Sequence, residues 1–197
     1  MNLVTVLSAG TVLAVALAGP AAAHERLYSV LLTGPSEAPP NASPGHGSGT
    51  VLFDLDLVTM RVNVSFADLV GTTTASHIHC CTAVPGAGTV SVATTTPTFT
   101  GFPLGVHTGS YDHTFDLTQA SSYNPAFVTA RGSVSNALNA LLAGAASGSA
   151  YLNIHTTSFP GGEIRGFLVP VPEPGSWALM LGGLGAVGWM ARRRQQA

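Results

Sequence analysis

A length of 197 residues gives room for one globular domain once two apolar ends are set aside. Between positions 24 and 174, four arginines (26, 61, 131 and 165) stand against nine acids, a net formal charge of −5, and the chain has no lysine at all. An acidic surface without a basic patch excludes nucleic-acid binding, which needs Lys and Arg against phosphates, and argues equally against docking on anionic lipid.

In chain order, residues 3–18 (LVTVLSAGTVLAVALA) are almost continuously apolar and lead to Ala21, Ala22 and Ala23. Small residues there suit signal peptidase, so residues 1–23 are expected to be a signal peptide cut before His24. No Lys or Arg precedes the apolar run, which leaves the amino terminus as its positive charge. Arg26 to Thr33 (RLYSVLLT) reads as a first strand, and the proline- and glycine-rich stretch from Gly34 to Ser48 as a loop. Gly49 to Leu57 alternates, with Val51, Phe53, Leu55 and Leu57 on one face. Arg61 to Phe66 alternates likewise, and the three residues between the runs predict an antiparallel hairpin.

Ser76 to Cys80 (SHIHC) is a short strand in which Ile78 opposes His77 and His79. Cys80 and Cys81 are the only cysteines. Adjacent Cα atoms lie about 3.8 Å apart, below the usual disulfide range of roughly 4.4–6.8 Å. A vicinal bridge, a bridge to another molecule and a free thiol all stay open. A turn at Pro85–Gly88 leads to Val90 and Val92, residues 94–108 read as a long loop, and Ser110 to Leu117 as a strand. Val134, Ala137, Leu138, Leu141 and Leu142 recur at helical spacing, predicting one short helix capped by Ser133 or Ser135 and stopped by Gly144.

Tyr151 to Leu168 (YLNIHTTSFPGGEIRGFL) organises the rest. Leu152 and Ile154 face one way while Tyr151, Asn153 and His155 face the other. A reversal belongs at Ser158–Gly162, followed by a strand with Ile164 and Phe167 as core candidates. Glu163 and Arg165 share a face, close enough to partner each other or a neighbouring strand, and are expected to brace loops. Gly166 marks a bulge or a close backbone approach. Seven or eight short strands with one crossover helix imply a two-layer antiparallel β-sandwich, all-β in class.

Beyond residue 170, Val171-Pro172-Glu173-Pro174 precedes an apolar stretch from Trp177 to Ala191 and then Arg192, Arg193 and Arg194. Fifteen helical residues reach roughly 22 Å, short of the roughly 30 Å hydrocarbon core, so the stretch would be a marginal inner-membrane anchor with its arginines on the cytoplasmic side.

Two resemblances rest on these motifs. Leu32-Thr33-Gly34, Glu37-Ala38-Pro39-Pro40, His77-Ile78-His79, Asn153-Ile154-His155-Thr156 and Phe159 to Gly166 together resemble the CHRD domain, the chordin-type module of many exported bacterial proteins. The resemblance gives a domain at 24–170 and implies an immunoglobulin-like sandwich, similar in outline to Cu/Zn superoxide dismutase. Residues 171–197 resemble the PEP-CTERM sorting signal, which implies processing by an exosortase, a Gram-negative cell that secretes exopolysaccharide, and a mature protein at the cell surface or in the extracellular matrix.

The chemistry-bearing candidates are histidines. His77 and His79, two apart on a strand, put both rings on one face with Cα atoms about 6.6 Å apart, and His155 is the leading third ligand. Three neutral imidazoles suit Zn²⁺ or Cu²⁺. His107, His113, Cys80 and Cys81 are candidates for a fourth. The alternative is that these histidines bond backbone carbonyls and bind no metal. No Gly-x-Ser-x-Gly elbow or phosphate-cradling loop is present, and the dismutase's bridging His and metal-binding Asp have no counterpart, so no catalytic residue is expected. The expected role is a non-enzymatic binding or structural module for an extracellular ligand or matrix component. The alternative role is a small extracytoplasmic Zn/Cu protein using His77, His79 and His155, with weak metal-dependent redox activity left open.

Overall fold

The computed structural model describes residues 24–172 and 174–195. The expected signal peptide and Glu173 of the sorting motif lie outside these. The domain is mostly β, and every strand pairing in it is antiparallel. It comprises β1 (Glu25–Thr33), β2 (His46–Asp54), β3 (Thr59–Ala67), β4 (Thr73–Cys80), β5 (Gly109–Asp116), β6 (Ala150–Thr156), β7 (Ile164–Phe167) and β8 (Val169–Pro170). They form one eight-stranded curled sheet in the order β4-β6-β7-β1-β2-β3-β5, with β8 pairing β1.

Curling turns one face of each strand inward. Tyr28, Val30 and Leu32 of β1 meet Val51 and Phe53 of β2, Met60, Val62, Val64 and Phe66 of β3, and Leu152 and Ile154 of β6 in one core, whose members run from Tyr28 to Leu168. The 94–108 segment stays without strands, as expected, and helps to close the core. Its Phe99 and Phe102 are buried and pack on Tyr111, and Phe102 also stacks on Phe66.

The predicted β2–β3 hairpin is present, with Asp54 opposite Thr59. β2 stops short of Leu55 and Leu57 because the Asp54 carboxylate accepts from the backbone N–H of both Asp56 and Leu57 at 2.9 Å. That Asx-type turn removes Leu57 from the core and leaves it 71% exposed.

Instead of one helix there are two, α1 (Pro125–Arg131) and α2 (Val134–Ala146). Asn124 and Ser133 cap them, each side chain accepting a backbone N–H, a contribution of about 1 kcal/mol apiece. Gly132, at φ +84°, ends the first. Gly144 does not stop α2. It lies within the helix where a Cβ would come 2.2 Å from Cys80 Sγ, so a glycine lets the helix sit against β4. Cys80 and Cys81 form a vicinal disulfide across a cis peptide bond.

Candidate metal centre

β4 and β6 pair antiparallel in a register that sets His77 opposite Asn153, His79 opposite Tyr151, and His155 opposite Ala75. β7 adds Arg165 opposite Asn153 and Phe167 opposite Tyr151. Ser76, Ile78 and Cys80 with Leu152 and Ile154 take the core side, so alternation sends all three histidines, Tyr151 and Asn153 to the other side. That side is largely shut off from water, with His155 half-buried. The segment after β4 and the β6–β7 turn fold over it, and His77, His79, Tyr151, Asn153 and Arg165 are all at most 9% exposed.

The three rings converge as the sequence predicts. Their centroids lie 5.8 Å (His77–His79), 5.2 Å (His77–His155) and 6.2 Å (His79–His155) apart, and one ligand nitrogen from each lies within 4.8 Å of the other two. Each ring's second nitrogen meets a backbone carbonyl. His77 Nε2 lies 2.5 Å from Pro97 O, His79 Nδ1 2.7 Å from Val90 O, and His155 Nδ1 2.8 Å from Pro160 O.

A carbonyl only accepts, so each of these nitrogens must carry the proton, and the tautomer of every ring is decided. The opposite nitrogens, His77 Nδ1, His79 Nε2 and His155 Nε2, are then lone-pair acceptors, and all three are buried with no hydrogen-bond partner. Burial also holds the rings neutral. It pushes His77 down to about 4, with the neighbouring His155 and His79 adding to the effect, and lowers His79 and His155 as well.

Neutral imidazoles with free, converging lone pairs are what Zn²⁺ or Cu²⁺ takes as ligands. Metal–nitrogen bonds of about 2.0–2.1 Å place tetrahedral ligand nitrogens roughly 3.3 Å apart. The ligand nitrogens, all within 4.8 Å of one another, would have to close by at most about 1.5 Å to reach that. The residues therefore fit the ion.

The other sequence candidates stand elsewhere. His107 Nδ1 bonds Leu69 O at 2.8 Å, and His113 packs against Phe115, with ring centroids 4.7 Å apart. Both cysteines are in their disulfide. Glu37, which the sequence shows only as part of a family motif, and Asn153, placed by alternation on the face of His155, also lie in this neighbourhood.

Glu163 and Arg165 do not pair with each other. The Glu163 carboxylate accepts from Ser43 Oγ at 2.5 Å, Val70 N at 2.6 Å, Gly71 N at 3.1 Å and Thr156 Oγ1 at 2.6 Å. It thereby ties two loops to β6. Arg165 donates to the carbonyls of Ser36 and Gly88 and sits 3.8 Å from Glu37. Its guanidinium lies over the Tyr151 ring at 4.8 Å, and Tyr151 in turn stacks parallel on His79 at 4.7 Å. Both charged residues brace the site's surroundings, as expected.

At the C-terminal end, α3 (Pro174–Gln195) contains the predicted apolar stretch. Among the described residues no helix is long and apolar enough to cross a membrane. Pro172 and Arg192 are exposed.

Comparison with known families matches residues 28–168 to the CHRD domain and residues 170–194 to the PEP-CTERM protein-sorting motif. No curated relative and no solved structure matches the chain. The sorting motif marks the protein for export, for processing by exosortase and for the cell surface. The body that carries the three histidines spans most of the chain, and on that match the chain belongs to the CHRD domain family.

Proposed function

We propose that this sorted surface protein is a metal-holding module, whose sandwich binds one Zn²⁺ or Cu²⁺ through His77, His79 and His155 and serves a structural or binding role rather than catalysis. One observation carries the reading. Three buried imidazole nitrogens, each fixed as an acceptor by a carbonyl on the far side of its ring, converge within 4.8 Å with no partner. Leaving three buried acceptors unpaired costs about 1–3 kcal/mol each, and a bound cation would offset all of it. The module begins after the signal peptide at residue 24, and α3 tethers it at the inner membrane until exosortase cuts.

The three carbonyl contacts also favour a second reading, in which the histidines clamp loops and hold no ion. Metal content of the protein extracted from the cell surface, measured with and without added Zn²⁺ or Cu²⁺, separates the two. The metal reading expects about one ion per chain in the parent, and none retained by a His77→Ala/His79→Ala variant. Equal metal in both would end it.

A further inference from the structure

Among the described residues, five buried side-chain polar atoms have no hydrogen-bond partner, and all five belong to one neighbourhood: Glu37 Oε1, His77 Nδ1, His79 Nε2, Asn153 Oδ1 and His155 Nε2. The three ring nitrogens are acceptors, since the rings hold their protons on the opposite nitrogens, and so is the Asn153 amide oxygen. Four neighbouring acceptors point to a positively charged occupant.

Asn153 is the one non-histidine of the set placed to reach that occupant. It stands on β6 two residues before His155, directly across from His77 in the β4 register, where facing Cβ atoms lie about 4.5–5.5 Å apart. The alternatives are otherwise engaged. The second oxygen of Glu37 faces Arg165, while its first lies against Gly162, where a Cβ would come within 2.5 Å of it. Glu163 is filled by four donors.

We infer that Asn153 Oδ1 is the fourth ligand of the ion held by His77, His79 and His155. The inference rests on the metal reading above and deepens it. Three imidazoles and one amide oxygen make a closed, four-coordinate site, the arrangement of a structural rather than a catalytic centre. The set has no thiolate or thioether, so it selects a divalent ion of borderline hardness over Cu(I).

The test uses the full chain, stripped with a chelator and titrated with Co²⁺ and with Zn²⁺. Co²⁺ reports its ligand set in the visible spectrum. The parent is expected to bind one Co²⁺ with a four-coordinate spectrum. Asn153→Ala should bind roughly 10- to 100-fold more weakly, with shifted visible bands. Asn153→Asp, the same shape with a charged oxygen, should bind at least tenfold more tightly.

A residue that merely positioned His79 would weaken binding without moving the bands. A parent that binds Co²⁺ beside an Asn153→Ala variant with identical bands therefore overturns the assignment and leaves the three-histidine site standing. Should Asn153→Ala not fold, an Asn153→Asp variant with parental affinity and bands overturns it equally. A parent that binds neither ion sinks the metal reading itself.

Discussion

His77 and Asn153 face each other across the β4–β6 pair, and each carries a buried acceptor without a partner on the side away from the core. Strand register brings them together, because a slip of one strand by one residue would turn His77 or Asn153 into the apolar core beside Ile78 and Leu152. The hydrophobic pattern that forms the sheet thus also sets the geometry of the candidate centre.

Zinc should stabilise the parent. A ligand present at one hundred times its dissociation constant adds about 2.7 kcal/mol, which for a domain of this size raises the melting temperature by roughly 5–10 °C. The His77→Ala/His79→Ala variant should show no such shift. Thermal melts with and without Zn²⁺ check this.

The metal-free protein should carry two opposing pH dependences. His77 is held at about 4, chiefly by burial, against an ordinary 6.5. Below pH 6.5 the unfolded chain takes up a proton that the folded chain refuses, so this contribution to stability falls as pH drops from 6.5 towards 4. Glu37 goes the other way. Burial raises it from 4.5 to about 7 against the pull of Arg165, so its contribution is full below pH 4.5 and is lost as pH rises through 7. Glu37→Gln removes only the second effect. Its stability should therefore climb more steeply than the parent's between pH 4.5 and 7 in chemical denaturation, and parallel profiles would refute this.

Glu163→Gln should destabilise the domain, by roughly 1–3 kcal/mol. Its carboxylate answers four donors, and an amide nitrogen would turn a donor towards at least one of them. Those hydrogen bonds lower its pKa despite burial acting to raise it. Its stabilisation is accordingly present above pH 4.5 and is lost as pH falls through the lower folded value. Denaturation midpoints at pH 7 and pH 4 should differ less in the variant than in the parent.

Gly166→Ala should be among the most damaging small changes in the sheet. A Cβ there would come 2.1 Å from the Leu31 carbonyl of β1, a backbone atom that cannot rotate away. Overpacking of this kind costs about 1–3 kcal/mol or more. A melting temperature within a degree of the parent's would count against the close approach.

Exosortase processing predicts a mature protein without Arg192, Arg193 and Arg194 in its native host. Intact-mass spectrometry of surface-extracted protein measures this directly, and a mass that retains the triplet would contradict it.

Much of this was legible in the sequence, because alternation has a period of two and needs only local residues. The β2–β3 hairpin, the strand carrying His77 and His79, and the shared face of Asn153 and His155 all follow from it. Side-chain bonding to the backbone was harder to read. Asp54 ended β2 early, and Gly132 divided the helical stretch in two. Long-range partners were out of reach altogether. Glu37 lies on a proline-rich loop with no periodicity, and nothing local says that it meets Arg165 from the far end of the chain. The carbonyls that decide the ring tautomers belong to Val90, Pro97 and Pro160, in segments whose course over the sheet has no sequence signature.

Those three carbonyls have an evolutionary corollary. Every amino acid carries one, so the device that orients the imidazoles does not depend on which side chains occupy positions 90, 97 and 160. The covering loops are free to diversify in composition, and hence in what they present to the outside, so long as their paths keep those oxygens in place.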